Sequence, residues 1–180
     1  MENRILKKLL KGNEKYLDAK NNHLGDISKE IREATHHNGQ KPEACIICCS
    51  DSRVIPEKIF MVGIGSLFVI RIAGNVLDNY GLGSVEYAIH HLHTKLIMVL
   101  GHTKCGAVTS AIHKETGEYV SYILKEIEEA IDGEEDITKA AIKSVSHTVD
   151  KVSKLLPKDD EEYQVVGAIY HTLSGKVEIL

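Results

Sequence analysis

The chain has 180 residues, of which 43% are hydrophobic and 27% are charged, a composition typical of one soluble globular domain. Its formal net charge of −4 at pH 7 leaves no basic excess to neutralise phosphates, so we expect neither nucleic acid nor an anionic membrane as a partner. The longest apolar run, residues 96–100, is far shorter than the roughly 18 residues that span a bilayer.

The first predicted element is an amphipathic helix over residues 2–19. Its apolar side chains recur at helical spacing among lysines and glutamates: Ile5, Leu6, Leu9, Leu10, Tyr16 and Leu17. The segment lacks the apolar core of a signal peptide, so nothing marks the chain for export, and we expect a cytoplasmic protein. A polar stretch without a predicted element follows, from about residue 20 to residue 42.

Short apolar runs rich in β-branched residues predict the strands. They cover residues 44–49, 67–72, 96–100, 164–170 and 176–180. The last two are separated by the turn residues Ser174 and Gly175, which indicates a terminal hairpin. Helical periodicity predicts helices between the strands, over residues 83–93, 120–131 and 138–156, with a charged loop at 132–136.

Strands that alternate with helices indicate an α/β fold with a mostly parallel central sheet flanked by helices. The sequence shows no internal repeat and no interdomain linker. We therefore predict an N-terminal helical arm, residues 1–37, followed by a single α/β domain, residues 38–180, that ends in the hairpin.

The cysteines suggest a metal site. In a chain without a leader they indicate a reducing compartment, where cysteines are more often metal ligands or small core residues than disulfides. Cys45 and Cys48 are three apart in a predicted strand, so their side chains point to opposite faces and cannot hold one ion. Cys49 stands at the end of that strand, and His102 and Cys105 follow the third strand. Ligand sites in such sheets lie at these strand ends, so we predict a zinc site of Cys49, His102 and Cys105.

An acid–base pair follows the first predicted ligand. Asp51 and Arg53 come two and four residues after Cys49. Three protein ligands leave tetrahedral zinc one position for water, which is typical of a catalytic site. We predict that Asp51 accepts a hydrogen bond from the reacting group on zinc and that Arg53 keeps Asp51 ionised.

These motifs resemble those of a known family. Cys49-x-Asp51-x-Arg53 followed by His102-x-x-Cys105 is similar to the signature of β-class carbonic anhydrases. The likeness extends to residues 40–42, 67–75, 83–88, 101–107 and 166–170. The resemblance implies that residues 38–180 form a zinc-binding catalytic domain with one Zn²⁺ per chain. It also implies reversible hydration of carbon dioxide to bicarbonate and a proton by a zinc-bound hydroxide.

The resemblance also implies a pocket and an assembly. Gln40, Phe68 and Tyr87 match substrate-pocket residues of the family, with Gln40 as an amide donor, and Gly106 would let the backbone approach the metal closely. The implied assembly is a homodimer, or a multiple of it, in which the N-terminal helix wraps the neighbour. In this sequence, the reason to expect such an assembly is the apolar stripe of that helix, because a short isolated helix needs a surface to pack against.

In some family members this aspartate ligates zinc and closes the site at lower pH. In one sub-group, bicarbonate reinforces that closed state in a pocket built from Trp, Arg and Tyr. Arg71 matches the arginine, but the chain contains no Trp, and Ile46 occupies the corresponding strand position. We therefore predict an open site near neutral pH.

Two other functions remain open at this stage. The same zinc chemistry would hydrolyse carbonyl sulfide or carbon disulfide. A non-catalytic zinc-binding or thiol-redox module is a different class of function, although Asp51 and Arg53 argue against it. The histidines at 90, 91 and 93 are predicted to lie on a solvated helix face.

Overall fold

The structure is a computed structural model that describes residues 3–18, 20, 23–157 and 162–180. Within these ranges the chain forms a five-stranded sheet. The strands are β1 (Ala44–Cys48), β2 (Leu67–Arg71), β3 (Leu96–His102), β4 (Gln164–Tyr170) and β5 (Val177–Ile179). Their order is β2-β1-β3-β4-β5, with the first four strands parallel and β5 antiparallel to β4. The predicted parallel sheet and terminal hairpin are confirmed.

Helices cover both faces of this sheet. They are α1 (Arg4–Leu17), α2 (Lys29–Asn38), α3 (Pro56–Ile59), α4 (Asn79–His90), α5 (Gly106–Ile112), α6 (Val120–Ile131) and α7 (Ile137–Ser153). The start of α4 lies four residues before the predicted one, because Asp78 caps it by accepting a hydrogen bond from the Gly81 amide. No helix in the described ranges is long and apolar enough to cross a membrane.

The side chains of β1 alternate between two apolar layers. Ala44, Ile46 and Cys48 face the layer that also contains Leu9 of α1. Cys45 and Ile47 face the layer formed with α4 and α7. Cys45 and Cys48 therefore point to opposite faces, as the alternation predicted. Burial raises the pKa of both thiols to about 12, so both remain protonated core side chains.

Helix α1 packs on the sheet of its own chain. Leu9 is buried, and Ile5, Leu6 and Leu10 pack against the same apolar layer. Much of the stripe is thus covered by this chain's own sheet, while Leu17 stays 46% exposed, so the stripe does not by itself require a second copy. The implied contact of this helix with a neighbouring chain stays a prediction, and residues 2 and 19 of the predicted helix lie outside the described residues.

Asn13 joins α1 to the terminal hairpin. Its buried side-chain amide donates to Gly175 O at 2.8 Å and to Ile59 O at 3.3 Å. Its Oδ1 accepts a hydrogen bond from the Val177 amide at 2.8 Å. One side chain therefore satisfies three backbone groups in two separate segments, the end of α3 and the terminal hairpin.

We expect Asn13→Ala to lower the free energy of unfolding by about 3 kcal/mol, because buried backbone groups left without a partner cost roughly 1–3 kcal/mol each. Urea unfolding followed by circular dichroism measures the change. Asn38→Ala is the matched control, because Asn38 is exposed and its amide donates only to Ala34 O of its own helix. Equal losses of unfolding free energy in the two variants would contradict a stabilising role for the buried hydrogen bonds of Asn13.

Candidate metal centre

The carboxyl ends of β1 and β3 lie side by side, with Cys48 paired to Leu100. Cys49 follows β1 directly, and His102 is the last residue of β3. Cys105 is the N-cap of α5, so the chain turns back towards Cys49 within three residues of His102. Two strand ends and one helix start therefore place the three residues at one edge of the sheet.

The ligand atoms of Cys49, His102 and Cys105 all lie within 4.8 Å of one another, and all three residues are buried. The two sulfur atoms are 3.9 Å apart. Across the described residues this is the one group of three or more such side chains that could hold a metal ion. The predicted grouping is confirmed, and Cys45 and Cys48 are not part of it.

The two thiols favour a single negative charge. Hydrogen bonding with the Cys105 thiol is the largest cause that lowers the pKa of Cys49 to about 4, and the amides of Gly74 and Asp51 also donate to its sulfur. The same contact with Cys49, together with burial, raises the pKa of Cys105 far above its usual range. A bound cation would stabilise the second thiolate, so this electrostatic arrangement suits a metal.

His102 presents an unsatisfied nitrogen to this group. Its Nδ1 lies 3.0 Å from Thr103 O, and because a carbonyl oxygen only accepts, Nδ1 carries the proton. The buried Nε2 has no hydrogen-bond partner among the residues the structure describes. A buried lone pair beside two thiols is costly unless it binds something. Two sulfurs and one imidazole form a donor set that zinc prefers, so the residues fit zinc.

Asp51 and Arg53 form a bidentate pair beside the three ligands. Arg53 Nε donates to Asp51 Oδ1 at 2.9 Å, and Nη2 donates to Oδ2 at 2.8 Å. These hydrogen bonds hold the pKa of Asp51 well below its usual range. Asp51 Oδ2 is 3.9 Å from His102 Nε2, so an ionised carboxylate lies at the edge of the metal group.

Comparison with known proteins decides the family. Residues 44–177 match the family model described as carbonic anhydrase. A solved β-carbonic anhydrase from Aspergillus fumigatus has a TM-score of 0.72 and 26% identity, covering 85% of this chain and 83% of that one. The chain belongs to the β-class carbonic anhydrase family. Zinc is the metal of this family, and the Cys49–His102–Cys105 group is able to bind it.

Other members of the β-class carbonic anhydrase family show the same likeness. The chain is 36% identical over 163 residues to a carbonic anhydrase of Mycolicibacterium smegmatis, an alignment that covers 82% of this chain and 79% of that protein. A solved tetrameric β-carbonic anhydrase of Sordaria macrospora shares the fold, with a TM-score of 0.62 and 23% identity over 84% of this chain and 91% of that one.

The pocket residues implied by the β-class resemblance lie away from this chain's own metal group. Phe68 of β2 pairs with Cys45 of β1. Cys45 lies four residues before Cys49, so Phe68 is about 13 Å from Cys49 along the strand direction. Tyr87 lies near Phe68, with ring centroids 6.2 Å apart, and Gln40 is exposed before β1. The structure therefore brings Gln40, Phe68 and Tyr87 to the opposite end of the sheet from the metal ligands.

Gly106 is adjacent to the metal group, as the first residue of α5. A Cβ atom at this position would meet no atom of the described chain within 4 Å, so nothing here requires a glycine for close approach. His90, His91 and His93 are exposed, as predicted, but α4 ends at His90, so the predicted helix over residues 83–93 is too long and His93, with a φ of +53°, lies outside it. His91 also stacks on Tyr87, with ring centroids 5.0 Å apart.

Two supports of the β-class site were not predicted. Arg71 donates to Asp51 O at 2.9 Å and to Cys49 O at 3.4 Å, so it braces the loop that carries both residues. Gly74 has a φ of +71°, and a Cβ there would lie 2.5 Å from Ile127 Cδ1. The positive φ strains any residue with a side chain, and a Cβ would have to displace the buried Ile127 side chain, so glycine is favoured at this position, from which the amide reaches Cys49 Sγ at 3.2 Å. The sequence signal that could have indicated this support is a glycine shortly after a predicted strand.

Proposed function

We propose that this chain catalyses the reversible hydration of carbon dioxide to bicarbonate and a proton, with one zinc ion held by Cys49, His102 and Cys105. The observation that carries the proposal is the buried group of two thiols and one unpaired imidazole nitrogen beside an ionised Asp51. Zinc bound there would keep a fourth position for water and lower the pKa of that water.

The proposed role of Asp51 follows from its hydrogen bonds. Oδ1 accepts from the Arg53 amide and from Nε, both at 2.9 Å, while Oδ2 accepts from Nη2. A carboxylate oxygen has more than one acceptor direction, so Oδ2 can also accept a hydrogen bond from the reacting water and orient it. Arg53 Nη2 also donates to Lys104 O, which fixes the guanidinium against the loop between His102 and Cys105.

Reaction rates with three small molecules test the proposed choice of substrate. Carbon dioxide hydration by the zinc-loaded chain is compared with hydrolysis of carbonyl sulfide and carbon disulfide at equal concentrations. We expect carbon dioxide to be turned over fastest. Faster hydrolysis of either sulfur compound would overturn the proposed substrate, and zinc binding without turnover of any of the three molecules would indicate a non-catalytic zinc module.

We propose a homodimer, or a multiple of it, in which Gln40, Phe68 and Tyr87 of one chain complete the pocket of another. Two findings support this. These residues lie at the far end of the sheet from the metal group of their own chain, and Tyr87 is 45% exposed, so its ring is available to a second chain. The tetrameric Sordaria macrospora relative is consistent with such an assembly.

Mixing two inactive variants tests this arrangement. Cys49→Ser lacks a metal ligand but keeps Gln40, whereas Gln40→Leu lacks the amide but keeps the metal ligands. Random re-pairing of equal amounts should restore about a quarter of the wild-type sites, because half of the dimers are mixed and each has one complete site. Light scattering gives the mass. A mixture no more active than the average of the two variants, or a monomer, would contradict the proposal.

The rate of carbon dioxide hydration should rise with pH as a single-group titration between about pH 6 and 9. Asp51 has a lowered pKa in the folded chain, so it is already ionised throughout this range and adds no second step. Bicarbonate should inhibit weakly and without cooperativity, because the chain contains no Trp and Arg71 is bonded to loop carbonyls. A steep multi-proton rise, or sigmoidal inhibition by bicarbonate, would show that a closed state is populated.

We propose a cytoplasmic location for the chain. All four cysteines are free thiols, which supports a reducing compartment. Cell fractionation followed by immunodetection tests this.

A further inference from the structure

We propose that Thr172, in the turn between β4 and β5, is a positioning residue for the metal ligand His102 and acts through Thr103. This inference rests on the proposed function, because it concerns how firmly the chain holds the zinc that the function needs. Thr172 lies 69 residues from Thr103 in the chain, and no sequence motif connects the two.

His102 is held by a hydrogen bond to Thr103, the residue that follows it. His102 Nδ1–H donates to Thr103 O at 3.0 Å, which selects the tautomer whose Nε2 lone pair is free for a metal. The side chain is fully buried, so turning the ring away from this carbonyl would leave Nδ1–H without a partner inside the protein, which is costly. The direction of the Thr103 peptide therefore sets the direction of the ligand nitrogen.

Thr103 also contacts the terminal turn. The Thr103 amide donates to Tyr170 O at 3.0 Å, which continues the pairing of β3 with β4 by one residue. The Thr103 hydroxyl accepts from the Thr172 amide at 3.0 Å and is 3.1 Å from the Thr172 hydroxyl. Thr103 is thus held on its backbone and side chain by the same short segment of another strand.

The turn that carries Thr172 is itself held by hydrogen bonds. The Gly175 amide donates to His171 O at 2.7 Å, and the His171 amide donates to Lys176 O at 2.8 Å. Asn13 binds Gly175 O and the Val177 amide from α1. The turn is therefore anchored at both ends, and the Thr172 hydroxyl transmits that anchoring to the residue after His102.

The test measures zinc release from zinc-loaded chains into an excess of a chromogenic chelator. Loss of groups that orient a metal ligand weakens metal affinity by about 10–100-fold, so we expect Thr172→Val to release zinc about tenfold faster than the wild type. Thr172→Ser keeps the hydroxyl and should release zinc at the wild-type rate. Thr35→Val is the matched control, because the Thr35 hydroxyl bonds only carbonyls of its own helix.

A double-variant cycle tests the route. If Thr172 acts through Thr103, the double variant Thr103→Val, Thr172→Val should release zinc no faster than Thr103→Val alone. Wild-type release from Thr172→Val, equal release from Thr172→Ser and Thr172→Val, or additive effects would each overturn the inference while leaving the proposed function intact. A wild-type chain that holds no zinc would instead overturn the proposed function, and this inference with it.

Discussion

Replacing Cys49 with serine should leave the chain folded but remove most of its zinc. Zinc binding to structural sites in zinc-finger peptides is worth about 10–16 kcal/mol, so by analogy we expect the loss of one ligand here to cost about 3 kcal/mol, or about a hundredfold in affinity. Serine is a poor ligand because its hydroxyl does not ionise near neutral pH. Metal analysis after dialysis measures the loss, and His102→Ala and Cys105→Ser should show the same result.

Cys48→Ser is the matched control for this experiment. Cys48 is the neighbouring residue and is equally buried, but its side chain faces the apolar layer below α1 and lies outside the metal group. We expect this variant to keep one zinc per chain, with circular dichroism confirming its fold. Zinc loss from Cys48→Ser together with full metal in Cys49→Ser would show that the site is assigned to the wrong cysteine.

The variant Asp51→Asn should keep its zinc and lose about a hundredfold or more in kcat for carbon dioxide hydration. General acid–base groups typically contribute about 10²–10⁴-fold, and an amide is a much weaker acceptor than a carboxylate held ionised by Arg53. The three zinc ligands are untouched by the substitution. Stopped-flow hydration measurements with parallel metal analysis separate the two effects.

Asp150→Asn makes the same chemical change on an exposed position of α7 and should leave both readouts unchanged. Arg53→Gln should reproduce part of the loss in kcat, because Asp51 would then lack its bidentate partner. An Asp51→Asn chain with wild-type kcat would contradict a role for this carboxylate in the reaction, and a chain without zinc would move its role to metal binding.

The metal ligands could be predicted because they follow from strand geometry. Side chains alternate along a strand, so Cys45 and Cys48 had to face different layers, and parallel strands deliver Cys49 and His102 to one edge. The Asp51–Arg53 pair follows from its spacing after Cys49. The first and last of these relations depend on neighbouring residues, and the second needs only the parallel sheet that the alternation of strands and helices predicts.

The missed elements lacked such local signals. Helix α2 contains only two apolar residues, Ile31 and Ala34, too few to show a helical period, and α3 and α5 have only four and seven residues. The apolar stripe of α1 indicated that this helix packs against some apolar surface, but it could not indicate that this surface is the chain's own sheet. In the same way, the family resemblance assigned Phe68 and Tyr87 to the pocket, yet only the register of β1 and β2 shows how far Phe68 and its neighbour Tyr87 lie from Cys49.

The most direct test of the central claim is stopped-flow carbon dioxide hydration on the zinc-loaded, metal-stripped and zinc-restored chain. If Cys49, His102 and Cys105 hold a catalytic zinc, the hydration rate should fall to the uncatalysed level when zinc is removed. It should then return in proportion to the zinc added, with saturation at one ion per chain. A hydration rate that does not change with zinc content, or a chain with one zinc and no hydration above the uncatalysed rate, would contradict the claim.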